Sequence, residues 1–99
     1  MITHVVIFWT DKPHEENKMK LLDAAEKLAS IPGVQNFRIG GPVRSLRGAV
    51  DDSFSVAISL DLANPEAVKN YLEHPIHSEF INGAFKEYCK RYVVYDFGE

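Results

Sequence analysis

Alternation of apolar and polar side chains is clearest between Ser53 and Leu62. Phe54, Val56, Ile58, Leu60 and Leu62 fall on one side of an extended chain there, and Ser55, Ala57, Ser59 and Asp61 on the other. A period of two marks a β-strand with one core-facing side. Ile2 to Thr10 is also strand-like, being rich in β-branched and aromatic residues, but it is apolar on both faces: Ile2, His4, Val6 and Phe8 on one, Val5, Ile7 and Trp9 on the other. Val34 to Ile39, stopped by Gly40-Gly41-Pro42, and Tyr92 to Phe97 complete a set of four strands. The last is again apolar on both sides. Val43 to Asp52 reads as the loop of a hairpin.

Between the strands the period lengthens. Leu21, Leu22, Ala25, Leu28 and Ala29 form one stripe of a helix that opens at Asp11-Lys12-Pro13, with Pro13 suited to the first helical position, and ends at Ile31-Pro32-Gly33. Asn64-Pro65-Glu66 supplies a cap, a first-turn proline and an acid for a second helix, whose apolar stripe is Ala67, Val68, Tyr71 and Leu72. His74-Pro75 ends it, because a residue before proline is pushed out of the α region. Pro75 can begin a third helix with His77, Phe80, Ile81, Ala84 and Tyr88 on one face and Cys89 late in it as a packing residue.

The resulting order, β-α-β-β-α-α-β, is the ferredoxin-like βαββαβ arrangement of the α+β class with its second helix split in two. It predicts a four-stranded antiparallel sheet with helices on one face only, in a single domain spanning residues 1–99. Val5, Ile7 and Trp9 then lie on the face the helices cannot reach. Monomers rarely expose an apolar patch of that size, so the pattern predicts a homodimer built sheet on sheet through these residues.

Charge changes this picture by what it removes. Eleven Lys+Arg against fourteen Asp+Glu give a net charge of −3, which lacks the basic footprint of a nucleic-acid binder. The apolar runs are too short to span a bilayer and no basic helix face suits a membrane surface. A lone Cys89 excludes a disulfide framework or thiolate metal cluster. With no leader pattern ahead of the first strand, a cytoplasmic protein is the expectation.

The chain resembles the stress-responsive A/B-barrel (Dabb) domains of the dimeric α+β barrel superfamily. The resemblance rests on Ile2-Thr3-His4-Val5-Val6-Ile7-Phe8, Ile31-Pro32-Gly33-Val34, Tyr71-Leu72-Glu73-His74-Pro75-Ile76-His77-Ser78-Glu79-Phe80 and the ending Val93-Val94-Tyr95-Asp96-Phe97. It implies a ferredoxin-like fold that dimerises into a β-barrel. One plant member is a polyketide cyclase that performs an aldol cyclisation without a cofactor. Its catalytic pair falls on Tyr71 and His77 and a pocket histidine falls on His4, but a second pocket histidine falls on Val56, where this chain departs. Some members hold a metal ion through backbone carbonyls near the Ile-Pro-Gly turn.

Candidate chemistry therefore centres on Tyr71 and His77, both expected to face the side of the sheet that bears His4. A neutral imidazole can take a proton from carbon beside a carbonyl while a phenol donates to the forming enolate oxygen. His77, at a helix N-terminus, is expected to be neutral. The pocket is expected to draw His4, Val6, Phe8, Val56 and Ile58 from the strands. Leu72, His74, Phe80, Ile81 and Tyr88 would come from the helices. It would bind a small hydrophobic or carbonyl-containing molecule, with no cofactor and no metal, since His4, His74 and His77 lack ligands at metal spacing.

Bland readings stand beside each of these. His74 serves as a cap, Tyr71 and His77 as hydrogen-bonded core residues, His4 as their partner, Arg44 and Arg47 as solvated loop charges, and His14 as an exposed first-turn residue. At the level of the whole chain the alternatives are a non-enzymatic stress-response structural dimer whose interior is filled by side chains, or a monooxygenase-like member of the superfamily.

Overall fold

A computed structural model of the chain describes residues 1–98. Four strands form one antiparallel sheet in the order β2-β3-β1-β4, with β1 Ile2–Thr10, β2 Gln35–Gly40, β3 Val56–Leu62 and β4 Cys89–Gly98. The twice-apolar first strand is central, paired with β3 on one side and β4 on the other. Register places His4 beside Leu60 and Asp96, Val6 beside Ile58 and Val94, and Phe8 beside Val56 and Tyr92.

One face of the sheet carries every helix. Helix α1, His14–Ala25, begins one residue later than the sequence suggests. Pro13 stays extended and offers its carbonyl to the Asn17 N–H at 3.0 Å. A 3₁₀ turn over Glu26–Ser30 continues it. The following Ile31-Pro32-Gly33-Val34 turn is closed by a 3.2 Å Val34 N–H bond to the Ile31 carbonyl. Gly33 sits there at φ +93°, where a side chain would be strained. Leu21, Ala25, Leu28 and Ile31 pack on Val56, Ile58, Leu60 and Leu62, all essentially inaccessible to water.

Helix α2 spans Pro65–Glu73 and α3 Pro75–Phe80. A π-helical turn, Ile81–Phe85, follows, in which Gly83 leaves helical geometry (φ −105°, ψ −105°), and α4, Lys86–Tyr88, closes the helical layer. Three expectations need correction. Strand β3 starts at Val56 rather than Ser53, because Ser55 is drawn into a loop: its Oγ accepts from the Thr10 N–H at 3.0 Å. Strand β2 runs one residue later than read. Cys89 is the first residue of β4, paired with Thr10, rather than a late helical residue. Its thiol donates to the Arg91 carbonyl at 3.1 Å, and burial pushes its pKa up.

Candidate functional site

Tyr71 owes its position to the way α2 begins and ends. Asn64 Oδ1 accepts the Ala67 N–H at 2.9 Å, Pro65 opens the first turn, and seven residues later Tyr71 points at the sheet, 1% exposed. Pro75 then forces His74 into an extended conformation (φ −67°, ψ 141°), ending α2. The His74 Nδ1 turns back to accept the Ile76 N–H at 3.1 Å, so this imidazole caps α3. His77 follows in the first turn of α3, and its ring centroid lies 5.0 Å from that of Tyr71, edge to face.

His4 approaches from the sheet. Its ring lies 5.6 Å from Tyr71, so the three rings form a row with the phenol in the middle. Its partner is Asp96, directly across β1–β4, with Nδ1 and Oδ1 2.5 Å apart. A carboxylate there selects the tautomer with hydrogen on Nδ1 and leaves Nε2 free. His4 was expected to partner Tyr71 or His77; the cross-strand register gives it to Asp96 instead.

Burial moves both central groups in useful directions. It raises the Tyr71 pKa well above its ordinary value of 10.0, so the residue stays a phenol, an O–H donor. It lowers His77 below its ordinary 6.5, with a smaller push from His4, so the ring is held neutral. Neither the Tyr71 hydroxyl nor the His77 ring has a hydrogen-bonding partner that shifts it. Yet no buried side-chain polar atom among the described residues is left unpaired. Both groups therefore open into free space.

That space is a cavity of about 360 Å³ between α2, α3, the π-turn and the sheet. His4, Tyr71, His77 and Asp96 supply its polar wall. Val6, Phe8, Ile58, Leu72, Phe80 and Ile81, all anticipated from the sequence, line the rest together with Leu28, Phe85, Tyr92 and Val94, which were not. Three anticipated residues lie elsewhere. Val56 is sealed under the helices at 0% exposure, His74 is the cap just described, and Tyr88 packs with Lys20, whose Nζ sits 5.5 Å from its ring. Tyr88, which follows the π-turn, packs against the hydrophobic core beside this cavity and does not line it. Asp96, Tyr92 and Val94 were within reach of sequence reasoning, since they share a period-two face and lie opposite His4, Phe8 and Val6 once β4 is placed beside β1.

The remaining candidates do not converge on this wall. Arg44 and Arg47 are exposed in the β2–β3 loop, and His14 Nδ1 lies 3.1 Å from the Thr10 carbonyl oxygen. Among the described residues no group of three or more His, Cys, Asp or Glu side chains is placed to hold a metal ion. At the Ile31-Pro32-Gly33 turn the Ile31 carbonyl accepts the Val34 N–H at 3.2 Å.

A sequence model described as the stress responsive A/B barrel domain matches residues 2–99. The chain belongs to this family. No curated protein matches this A/B-barrel chain by sequence. Among solved structures it is similar to a Dabb family protein with a ferredoxin-like fold from Mesorhizobium loti: 24% identity, covering 99% of this chain and 95% of that one, TM-score 0.79. It is similar also to a dimeric ferredoxin-like protein of unknown function from Thermobifida fusca, at 21% identity over 99% and 90% of the two chains, TM-score 0.77. A third is the hydroxynitrile lyase from Passiflora edulis, at 20% identity over 97% and 90%, TM-score 0.75. At these identities the likeness establishes the A/B-barrel's ferredoxin-like fold. No helix among the described residues is long and apolar enough to cross a membrane.

Proposed function

We propose that this A/B-barrel domain works as a homodimer. Each subunit binds a small hydrophobic carbonyl compound and moves a proton on and off the carbon beside the carbonyl, without a cofactor. The observation that carries the reading is the Tyr71–His77 pair, two rings 5.0 Å apart that open into a mostly apolar cavity whose polar wall they share with His4 and Asp96. In the forward step a neutral His77 nitrogen takes the α-proton. The C–H electron pair becomes the enol double bond, the carbonyl π pair moves to oxygen, and the Tyr71 O–H donates there. Return of the proton to the same carbon gives exchange and to another carbon isomerisation. With a second carbonyl in reach, the enol carbon instead bonds to that carbonyl carbon, its π pair moves to oxygen, and the proton held by His77 goes to that oxygen, closing a ring. Acid-base help of this kind is worth about 10²–10⁴-fold.

The size of the cavity favours this over a structural dimer with a filled interior. A single water needs only about 10–15 Å³ of such space, and about 360 Å³ is empty beside Tyr71. The hydroxynitrile lyase among its structural neighbours adds support, since it puts an enzyme on the same fold. Dimerisation is supported by neighbours described as dimeric and by the uncovered back face of the sheet.

The test is deuterium uptake from heavy water into the α-position of a simple ketone such as heptanone, followed by proton NMR. The protein should accelerate uptake. His77→Ala should abolish the acceleration, and Tyr71→Phe should cut it by about 10²-fold or more, with fold and assembly unchanged by circular dichroism and light scattering. Uptake that is equal with and without protein, while the ketone is shown to bind, would end the catalytic reading.

A further inference from the structure

The two ends of the cavity are chemically different, and the sheet fixes how far apart they are. His4 and Asp96 pair across the β1–β4 ladder at one end of the cavity, and Phe8 and Tyr92 pair four residues along it. At about 3.3 Å per residue the separation is about 13 Å. Val6 and Val94 pave the floor between them and offer no polar side-chain atom. The far end is aromatic: Phe85 meets the Tyr92 ring edge-on at 5.0 Å and the Phe8 ring at 6.0 Å. Phe85 reaches this place through the π-turn, and Tyr92 stands on the edge strand β4, 54% exposed.

We propose that Phe85 and Tyr92 form the end stop that measures the ligand's tail, and that the ligand is a carbonyl compound with an unbranched apolar chain. The inference rests on the cavity reading above and narrows it. The carbonyl sits at Tyr71 and His77; the chain runs over Val6 and Val94 toward the aromatic end. A chain that meets the stop is accepted in full. A longer one has to leave its last carbons in water or displace the pair.

The test uses straight-chain methyl ketones from butanone to tridecanone, titrated calorimetrically into the intact protein. Affinity should climb by about fourfold per methylene while the tail is being buried, then stop climbing at one chain length. Tyr92→Ala should move that limit to longer ketones, each added methylene again worth about fourfold, whereas Tyr92→Phe should leave it in place. Phe85→Ala should act in the same direction. If Phe85→Ala fails to fold, Tyr92→Ala decides alone, because its ring is largely in solvent. A limit unmoved in folded Tyr92→Ala overturns the end stop while leaving the carbonyl site standing. Ketones that fail to bind the wild type at any length overturn both. A length limit that persists in His77→Ala, where exchange is lost, keeps the end stop and separates it from the proton-transfer reading.

Discussion

His77 carries the acid-sensitive half of the chemistry, and its environment fixes the direction of the effect. Burial holds its pKa below 6.5, so the native chain binds that proton more weakly than the unfolded chain. Its contribution to stability is therefore complete above pH 6.5 and is lost as pH falls toward the lowered native value. The same neutral ring is the proposed base. Ketone exchange should accordingly lose activity in acid with a midpoint below 6.5, and the limb should vanish in His77→Ala along with the activity. Tyr71 is pushed the other way, so the exchange profile should show no fall as pH approaches the ordinary phenol value of 10.0. A pH profile centred at or above 6.5 would mean that some other group is being titrated. Tyr71 and His77 were legible as neighbours because each falls on the apolar stripe of its helix. Their being left without hydrogen-bond partners was not legible, since it depends on where the sheet places its own polar groups.

Elements here are set by their ends more than by their interiors. Asn64 and His74 each take one otherwise unpaired N–H at a helix start, at 2.9 and 3.1 Å. Asn64→Ala should cost about 1 kcal/mol, a fall in Tm of about 4–8 °C in a domain of this size. His74→Ala should lower Tm less and leave ketone exchange intact, because the ring is turned away from the cavity. Loss of exchange in a folded His74→Ala protein would return that residue to the site. Asn-Pro-Glu and His-Pro could be read directly, because capping and proline chemistry act over a few residues. The π-turn could not. Gly83 is tolerated in a helix, and nothing local announces that the turn there will place Phe85 on the cavity wall and Tyr88 off it. The start of β4 was hidden for a different reason. Cys89-Lys90-Arg91 has no strand pattern of its own and becomes extended because Trp9 and Thr10 pair with it.

At the scale of the molecule the sheet's second face is what remains unsatisfied. Val5, Ile7 and Val93 are only half-buried on it, while Tyr95 and Phe97 are 59% and 62% exposed. Trp9 is less naked than its pattern implied: the Arg91 guanidinium lies 4.1 Å over its ring and its Nε1 donates to Ser53 Oγ at 3.1 Å. The apolar centre of the patch is therefore Val5, Ile7, Val93 and Tyr95, with Trp9 and Arg91 toward one rim. A contiguous apolar surface of this kind is costly in water, and in the proposed homodimer a second copy of itself about a twofold axis would cover it. Ile7→Lys puts a charge in the middle of that surface without touching the helix-facing core, because Ile7 points away from Val6 and Phe8. It should shift the protein from dimer to monomer in sedimentation equilibrium at micromolar concentration, whereas Arg91→Ala at the rim should change the dimer little. Wild-type protein that sediments at single-chain mass, or an Ile7→Lys variant as dimeric as the wild type, would show that this face is not where the copies meet.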